Sequence, residues 1–277
     1  MKRILLTGSG GFIGKHLKQY LGKYYRLFTP RSYELNLLNA INTAKYIVNN
    51  NIEFIIHGAS YGVKITSEAT FENVTEPNIK MFDNLVTSNL PMITIGSGAE
   101  YDKSRELIDV KEEEFGNFIP KDPYGYSKYV ISKRIENVDN VLNLRVFGIY
   151  GSEELESRVT SYIIRSNINH KPIELNQNVK FHFIWIDDFC EIVKYFIEHR
   201  INEKFLNATP DESIEILKLA EIVNNFSDFK SDIFIKNPSM NLQYTGNNTK
   251  LRSIIKNINF TSYEDGLKRL LQWYKKF

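Results

Sequence analysis

The 277-residue sequence contains a single cysteine, Cys190. An internal disulfide is therefore excluded, and a reducing, cytoplasmic setting is expected. Cys190 follows Ile186-Asp187-Asp188-Phe189 on an expected helix and reads as a small buried hydrophobe. The five histidines, His16, His57, His170, His182 and His199, form no pair at ligand spacing, so no zinc site is expected. Apolar runs fall short of the roughly 18–20 residues that a membrane span needs. The N-terminus enters an apolar strand at once, without the h-region and cleavage site of a secretory signal. Neither sign of charge is in excess: 35 basic residues stand against 33 acidic ones, for a net +2, which speaks against a nucleic-acid surface. Repeats, low-complexity tracts and flexible linkers are also missing. What remains is a globular composition, 42% hydrophobic and 25% charged, on a length that suits a large α/β domain with a smaller appendage.

The strongest local signal lies at the start. Ile4, Leu5 and Leu6 form a short apolar run suited to a buried strand. Gly8, Gly11 and Gly14 follow, then Phe12, Ile13, His16, Leu17, Tyr20 and Leu21 at helical spacing. A strand, a glycine turn and a helix in this order bind the pyrophosphate of a dinucleotide. One glycine permits the bend, another lets the phosphate approach, and a third lets helix and strand pack. The helix N-terminus adds free N–H groups and partial positive charge. Gly8, Gly10, Gly11, Phe12, Ile13 and Gly14 are the candidate contacts; a glycine-rich turn that binds nothing is the alternative.

The second strand is expected over Tyr25–Thr29. NAD-binding sheets usually place an acid at its end, to accept from the ribose hydroxyls. Here Thr29-Pro30 is followed by Arg31 and Ser32. The missing acid and the added base suit a 2′-phosphate, which arginine grips with paired charge-assisted bonds. NADP(H) is therefore the expected cofactor. A helix over 40–50, a strand over 54–57, a helix over about 71–87 and a strand over 92–95 continue a doubly wound parallel sheet. Gly58, Ala59 and Ser60 lie at one strand end, and Gly96-Ser97-Gly98 at another, where such sheets hold their ligands.

Asp122 then reads as an N-cap and Pro123 as a first helical residue. This puts Tyr124 and Lys128 four apart on one helix face, with Tyr126 turned away. An ammonium near a phenol lowers the phenol pKa from its usual value near 10. Such a tyrosine can protonate a carbonyl oxygen as hydride arrives, with Ser97 orienting that oxygen.

With these residues the chain resembles an extended short-chain dehydrogenase/reductase of the nucleotide-sugar epimerase/dehydratase family. The Gly8-x-x-Gly11-x-x-Gly14 spacing, Ser97 with Tyr101, and Tyr124-Gly-Tyr-Ser-Lys128 are similar to its motifs, as are Leu144–Gly151 and Phe183–Asp188. Arg31–Asn39 and His57–Val63 most resemble the GDP-fucose synthase-like reductases. The resemblance implies a Rossmann domain over 1–151 plus about 179–207, and a smaller C-terminal α/β substrate lobe over about 152–178 plus 208–277. It adds Asn36 and Leu37 to the cofactor contacts, and implies a homodimer packed through the helix bearing Tyr124 and its neighbour. The implied substrate is a nucleotide-diphosphate sugar carrying a 4-keto-6-deoxy group.

Departures from the family narrow the chemistry. Epimerising members of that branch use a Cys two residues after the serine and a His in the substrate lobe. Ala99 stands at the first position and Arg158 near the second, and neither exchanges protons beside a carbonyl. Gly98-Ala99 stand where dehydratases carry an Asp-Glu pair. Reduction without epimerisation is the expected reaction. An NAD-dependent nucleotide-sugar 4-epimerase and a non-catalytic dinucleotide sensor are the alternatives. The family's diphosphate-binding arginine is replaced by Lys180-Phe181-His182. That role is left among Lys180, His182, Arg158, Arg165 and Arg252. Gly148 replaces a frequent Asn near the nicotinamide.

Overall fold

The computed structural model describes residues 1–62, 68–200 and 202–276. Val63, at the end of the His57–Val63 segment, and Phe277 lie outside the described residues. The chain opens with β1 (Arg3–Thr7), α1 (Phe12–Leu21), β2 (Arg26–Phe28), α2 (Ala40–Asn49), β3 (Phe54–His57), α3 (Glu76–Val86) and β4 (Met92–Ser97). It continues through β5 (Leu107–Val110), α4 (Pro123–Ile135), β6 (Val141–Val146) and β7 (Gly148–Tyr150). Next come α5 (Val159–Ile168), β8 (Ile173–Asn178), β9 (Lys180–Phe181), β10 (Phe183–Trp185), α6 (Ile186–Glu198) and β11 (Phe205–Ala208). The C-terminal stretch holds β12 (Ile214–Glu215), α7 (Ile216–Phe226), β13 (Ile233–Met240), β14 (Tyr244–Gly246), α8 (Thr249–Ile254) and α9 (Tyr263–Tyr274).

Six strands form one parallel sheet in the order β11-β6-β4-β3-β1-β2. The α/β doubly wound Rossmann architecture expected from the sequence is the one found. Strand residues alternate between faces. Ile4 and Leu6 of β1 enter a core shared with Leu17, Phe189 and Cys190, whereas Leu5 enters one with Phe82, Leu85 and Ile131. Burial of these side chains on both faces is what holds the helices to the sheet. The order reverses at β1, whose neighbours are β3 and β2. A crevice therefore opens beyond the C-terminal ends of β1 and β3.

The helix expected over 71–87 begins instead as a π turn, Phe71–Thr75, before α3. Pro77 lacks the N–H that would bond the carbonyl of Asn73. The preceding turn widens, with the Glu76 N–H reaching the Phe71 carbonyl.

Beyond the main sheet, α5, α7 and α9 pack around Ile163, Leu219, Val223, Leu267 and Leu270. A small sheet of order β12-β9-β14-β5 brings strands from the C-terminal half of the chain beside β5. In it, Tyr244 of β14 lies opposite Leu107 of β5 on one side and Phe181 of β9 on the other.

Candidate active site

Two clefts open along the C-terminal ends of the sheet. The first, about 350 Å³, is walled by Gly8, Gly10, Gly11, Arg31, Ser32, Asn36, Leu37, Ala59 and Ser60, together with residues around them. Gly8 sits at φ +72°, and a methyl group there would collide with the backbone of Gly58 and Ala59. Gly14 lies outside the cleft, where a methyl would strike the Gly8 carbonyl. It is the glycine that lets α1 pack on the turn. No side chain caps α1, so its first N–H groups stay open to a ligand. The ends of β1 and β3 are tied together. Thr7 Oγ1 lies 2.8 Å from His57 Nδ1 and accepts the Ala59 N–H at 3.2 Å. Burial pushes the His57 pKa down to about 3, so the ring stays neutral there.

The second cleft, about 460 Å³, is lined by Ile13, Gly58, Ser97, Tyr124, Lys128, Gly148 and Arg158, among others. Ser60 lines both clefts and joins them. Asp122 caps α4 by accepting the Gly125 N–H at 2.9 Å, and Pro123 opens the helix. The Tyr124 ring and the Lys128 ammonium then face the cleft together, with Lys128 Nζ 5.8 Å from the ring centroid. Tyr126 turns away onto Phe71 and Tyr129. Asn78 anchors the adjoining loop, accepting the Tyr61 N–H at 2.7 Å and donating to Ser127 Oγ at 3.1 Å.

The electrostatics differ from the sequence expectation in one respect. Lys128 was expected to lower the Tyr124 pKa; instead burial raises it to about 12, against a smaller opposing pull from the Ser97 hydroxyl. The Lys128 ammonium donates to the Ile95 carbonyl at 2.9 Å, and burial lowers its own pKa to about 8. Desolvation outweighs the charge–dipole attraction in this tight wall.

The candidate substrate residues separate. Arg158, at the N-terminus of α5, lines the second cleft. Lys180 does not: neighbouring strand residues face opposite ways, so Phe181 enters the cleft while Lys180 borders a surface groove with Glu215 and Lys218. Arg252 is also elsewhere, paired with Asp211, donating to the Ile258 carbonyl and stacked on Phe260. Arg165 pairs with Glu156 at 2.7 Å. His182 is buried, with its Nδ1 accepting the Gly246 N–H at 3.1 Å. Phe12 presents no side chain to either cleft; its ring packs on His16 and the core beneath the lobe. Sequence reasoning missed Lys103, Phe147, Asn241, Leu242 and Tyr244, all on the wall of the second cleft.

A dinucleotide fits these walls. The start of α1, next to the glycine turn, has no side-chain cap among the described residues, Ser60 connects the two clefts, and no carboxylate appears among the described residues lining either one.

A family model, the NAD dependent epimerase/dehydratase family, matches residues 4–207. The chain belongs to that family. A GDP-L-colitose synthase from Yersinia pseudotuberculosis is 34% identical over 110 residues, which is 36% of this chain and 35% of the relative. The match thus spans about a third of that relative's length. A dTDP-4-dehydro-6-deoxyglucose reductase from Escherichia coli is 24% identical across 85% of each chain. Among solved structures, a GDP-D-glycero-L-gluco-heptose synthase from Campylobacter jejuni, in the presence of NADPH, superposes with a TM-score of 0.85 at 18% identity, covering 100% of this chain and 98% of that one. A GDP-L-fucose synthetase from Naegleria fowleri bound to NADP gives 0.84 at 14% identity, covering 99% and 93%. At these identities the two structures establish the fold shared across the family.

Proposed function

We propose that the chain is an NADPH-dependent reductase of a nucleotide-linked 4-keto-6-deoxy sugar, acting without epimerisation. The observation that carries this reading is the wall of the second cleft. It gathers Ser97, Tyr124 and Lys128, yet among its described residues it offers no carboxylate, thiol or imidazole. The thiol and imidazole that the epimerising branch is expected to use for proton exchange beside a carbonyl are thus missing from that described wall. Ala99 occupies the position where one would sit.

NADPH, when bound, supplies the hydride that reaches the carbonyl carbon. Tyr124 gives its proton to the carbonyl oxygen, and Ser97 holds that oxygen by a hydrogen bond. A phenol with a pKa raised to about 12 is protonated at neutral pH, the form that reduction requires. Arg31 and Ser32 meet the 2′-phosphate at the mouth of the first cleft, and Asn36, Leu37 and Ala59 frame the adenosine. Lys128 holds the ribose, and Gly10, Gly11 and the start of α1 hold the pyrophosphate. Arg158 and Lys103 supply positive charge for the sugar-linked diphosphate. A second copy of the chain packs along α4 and its neighbour α3.

The test is NADPH consumption by the purified protein with GDP-, CDP-, UDP- and dTDP-linked 4-keto-6-deoxyhexoses. Turnover on one of them is expected, and Tyr124→Phe should lower kcat by about 10²–10⁴, the usual worth of a positioned general acid. Tightly held NAD with no net NADPH consumption would point to a 4-epimerase instead. Dinucleotide binding without turnover on any sugar would point to a sensor.

A further inference from the structure

The C-terminal region brings a second phenol to the serine. Tyr244 lines the same cleft as Ser97 and Tyr124. Its strand is fixed on both sides, by β5 and by β9. His182 clamps it further: its N–H donates to the Tyr244 carbonyl at 3.3 Å, and its Nδ1 accepts the Gly246 N–H. The ring rests against Phe181 and Phe147, with centroids 4.7 and 5.0 Å away. Its hydroxyl reaches over Gly98, where a methyl group would lie 2.7 Å from it. From there it lies beside Ser97, whose hydroxyl pulls the pKa of Tyr244, like that of Tyr124, down against the larger rise from burial.

A serine hydroxyl has one proton and two lone pairs. Ser97 Oγ already accepts the Ala99 N–H at 3.1 Å. One lone pair and the proton remain, and two phenols and a substrate oxygen compete for them. Both phenols are buried and keep their protons at neutral pH, so both can donate.

We propose that Tyr244 is a positioning residue, whose O–H donates to the second lone pair of Ser97 and leaves the Ser97 proton aimed at the substrate oxygen. Tyr124 is then free to give its own proton to that same oxygen. Without the Tyr244 hydroxyl, Tyr124 donates to Ser97 instead and its proton is held back. The inference rests on the roles proposed above for Ser97 and Tyr124.

Tyr244→Phe removes only the hydroxyl and keeps the stacked ring. With NADPH and the keto-sugar that the wild type consumes, kcat should fall about tenfold, the net worth of one hydrogen bond. KM for NADPH should stay within about twofold, as expected for an interaction made in the chemical step. In a Ser97→Ala background the same change should have no further effect, because the two residues act as one unit. An equal loss in both backgrounds, or full activity of Tyr244→Phe, would overturn the proposal. So would Tyr244→Phe abolishing turnover while Tyr124→Phe retains it. A second measurement needs no turnover: in protein carrying ζ-¹³C-tyrosine, Ser97→Ala should move the resonances of both Tyr124 and Tyr244, assigned from their Phe variants. A Tyr244 resonance indifferent to Ser97→Ala overturns the proposal. A responsive one in a protein that reduces none of the keto-sugars supports the Tyr244–Ser97 contact and removes only the substrate reading.

Discussion

The carboxylate of Glu100 holds the backbone of Ser97: its Oε1 accepts the Ser97 N–H at 3.0 Å. Its Oε2 accepts from Arg145 Nε at 2.7 Å and from Ser132 Oγ at 2.5 Å. The side chains of Glu100 and Arg145 are both fully buried. Removing one partner of such a pair leaves an uncompensated charge in the interior. Glu100→Gln keeps the shape but strands the Arg145 charge, and should destabilise the fold by about 3–5 kcal/mol. Urea unfolding checks this, and a wild-type midpoint in the variant would show that the pair does not carry that load.

Arg31 stands at the first cleft with Ser32, and no acid lines the described wall. Charge-assisted hydrogen bonds contribute about 1.5–3 kcal/mol each. Arg31→Ala should therefore lower kcat/KM for NADPH about 10–100-fold while leaving that for NADH nearly unchanged. Paired assays with the two cofactors decide the matter; an unaltered NADPH/NADH ratio would assign cofactor choice to other residues.

Lys128 titrates in an accessible range. Burial lowers its pKa to about 8, so it carries its charge below that pH and loses it above. Since kcat/KM reports groups of the free enzyme, its profile should fall as pH rises through about 8. The Tyr124 phenol, at about 12, titrates too high to produce that limb. Lys128→Arg should move the limb out of the measurable range, because arginine stays protonated. A limb that persists at the same pH in the variant belongs to another group.

Glu154 offers a test through stability alone. Its Oε1 accepts from the hydroxyls of Thr160 and Ser161 and from the Ser161 N–H, while its buried Oε2 has no partner among the described residues. Burial raises its pKa from 4.5 to about 7. Between those values the native state holds more protons than the unfolded chain, so stability falls as pH rises through the window. Thermal melts of the wild type should drop across it relative to Glu154→Gln. Parallel curves would show that the carboxyl titrates normally in the fold.

Local signals explain which parts of this molecule could be read without coordinates. The glycine turn after Leu6 and the Asp122-Pro123 helix start each carry their instructions within a few residues, and both form as expected. Tyr244 carries no such instruction. It reaches the cleft only because β14 pairs with β5 and β9, a long-range choice that no short window encodes. Glu100 gives no local sign of its burial for a related reason: that burial depends on Arg145 arriving from β6. Lys180 and Phe181 show the limit of spacing arguments in a two-residue strand, where one step of register decides which side chain meets the ligand. The proton affinity of Tyr124 was misjudged because its burial, which outweighs its neighbours, is a property of the assembled wall.

The interleaving of β14 between β5 and β9 also bears on how the protein comes into being. During synthesis the six-stranded sheet has all its strands once Ala208 has emerged. Asn241, Leu242 and Tyr244 are still inside the ribosome at that moment, and with them part of the wall around Ser97. A nascent chain can thus possess its parallel-sheet framework while lacking a finished second cleft, whose wall is completed late, as one short strand slides into a slot left open for it.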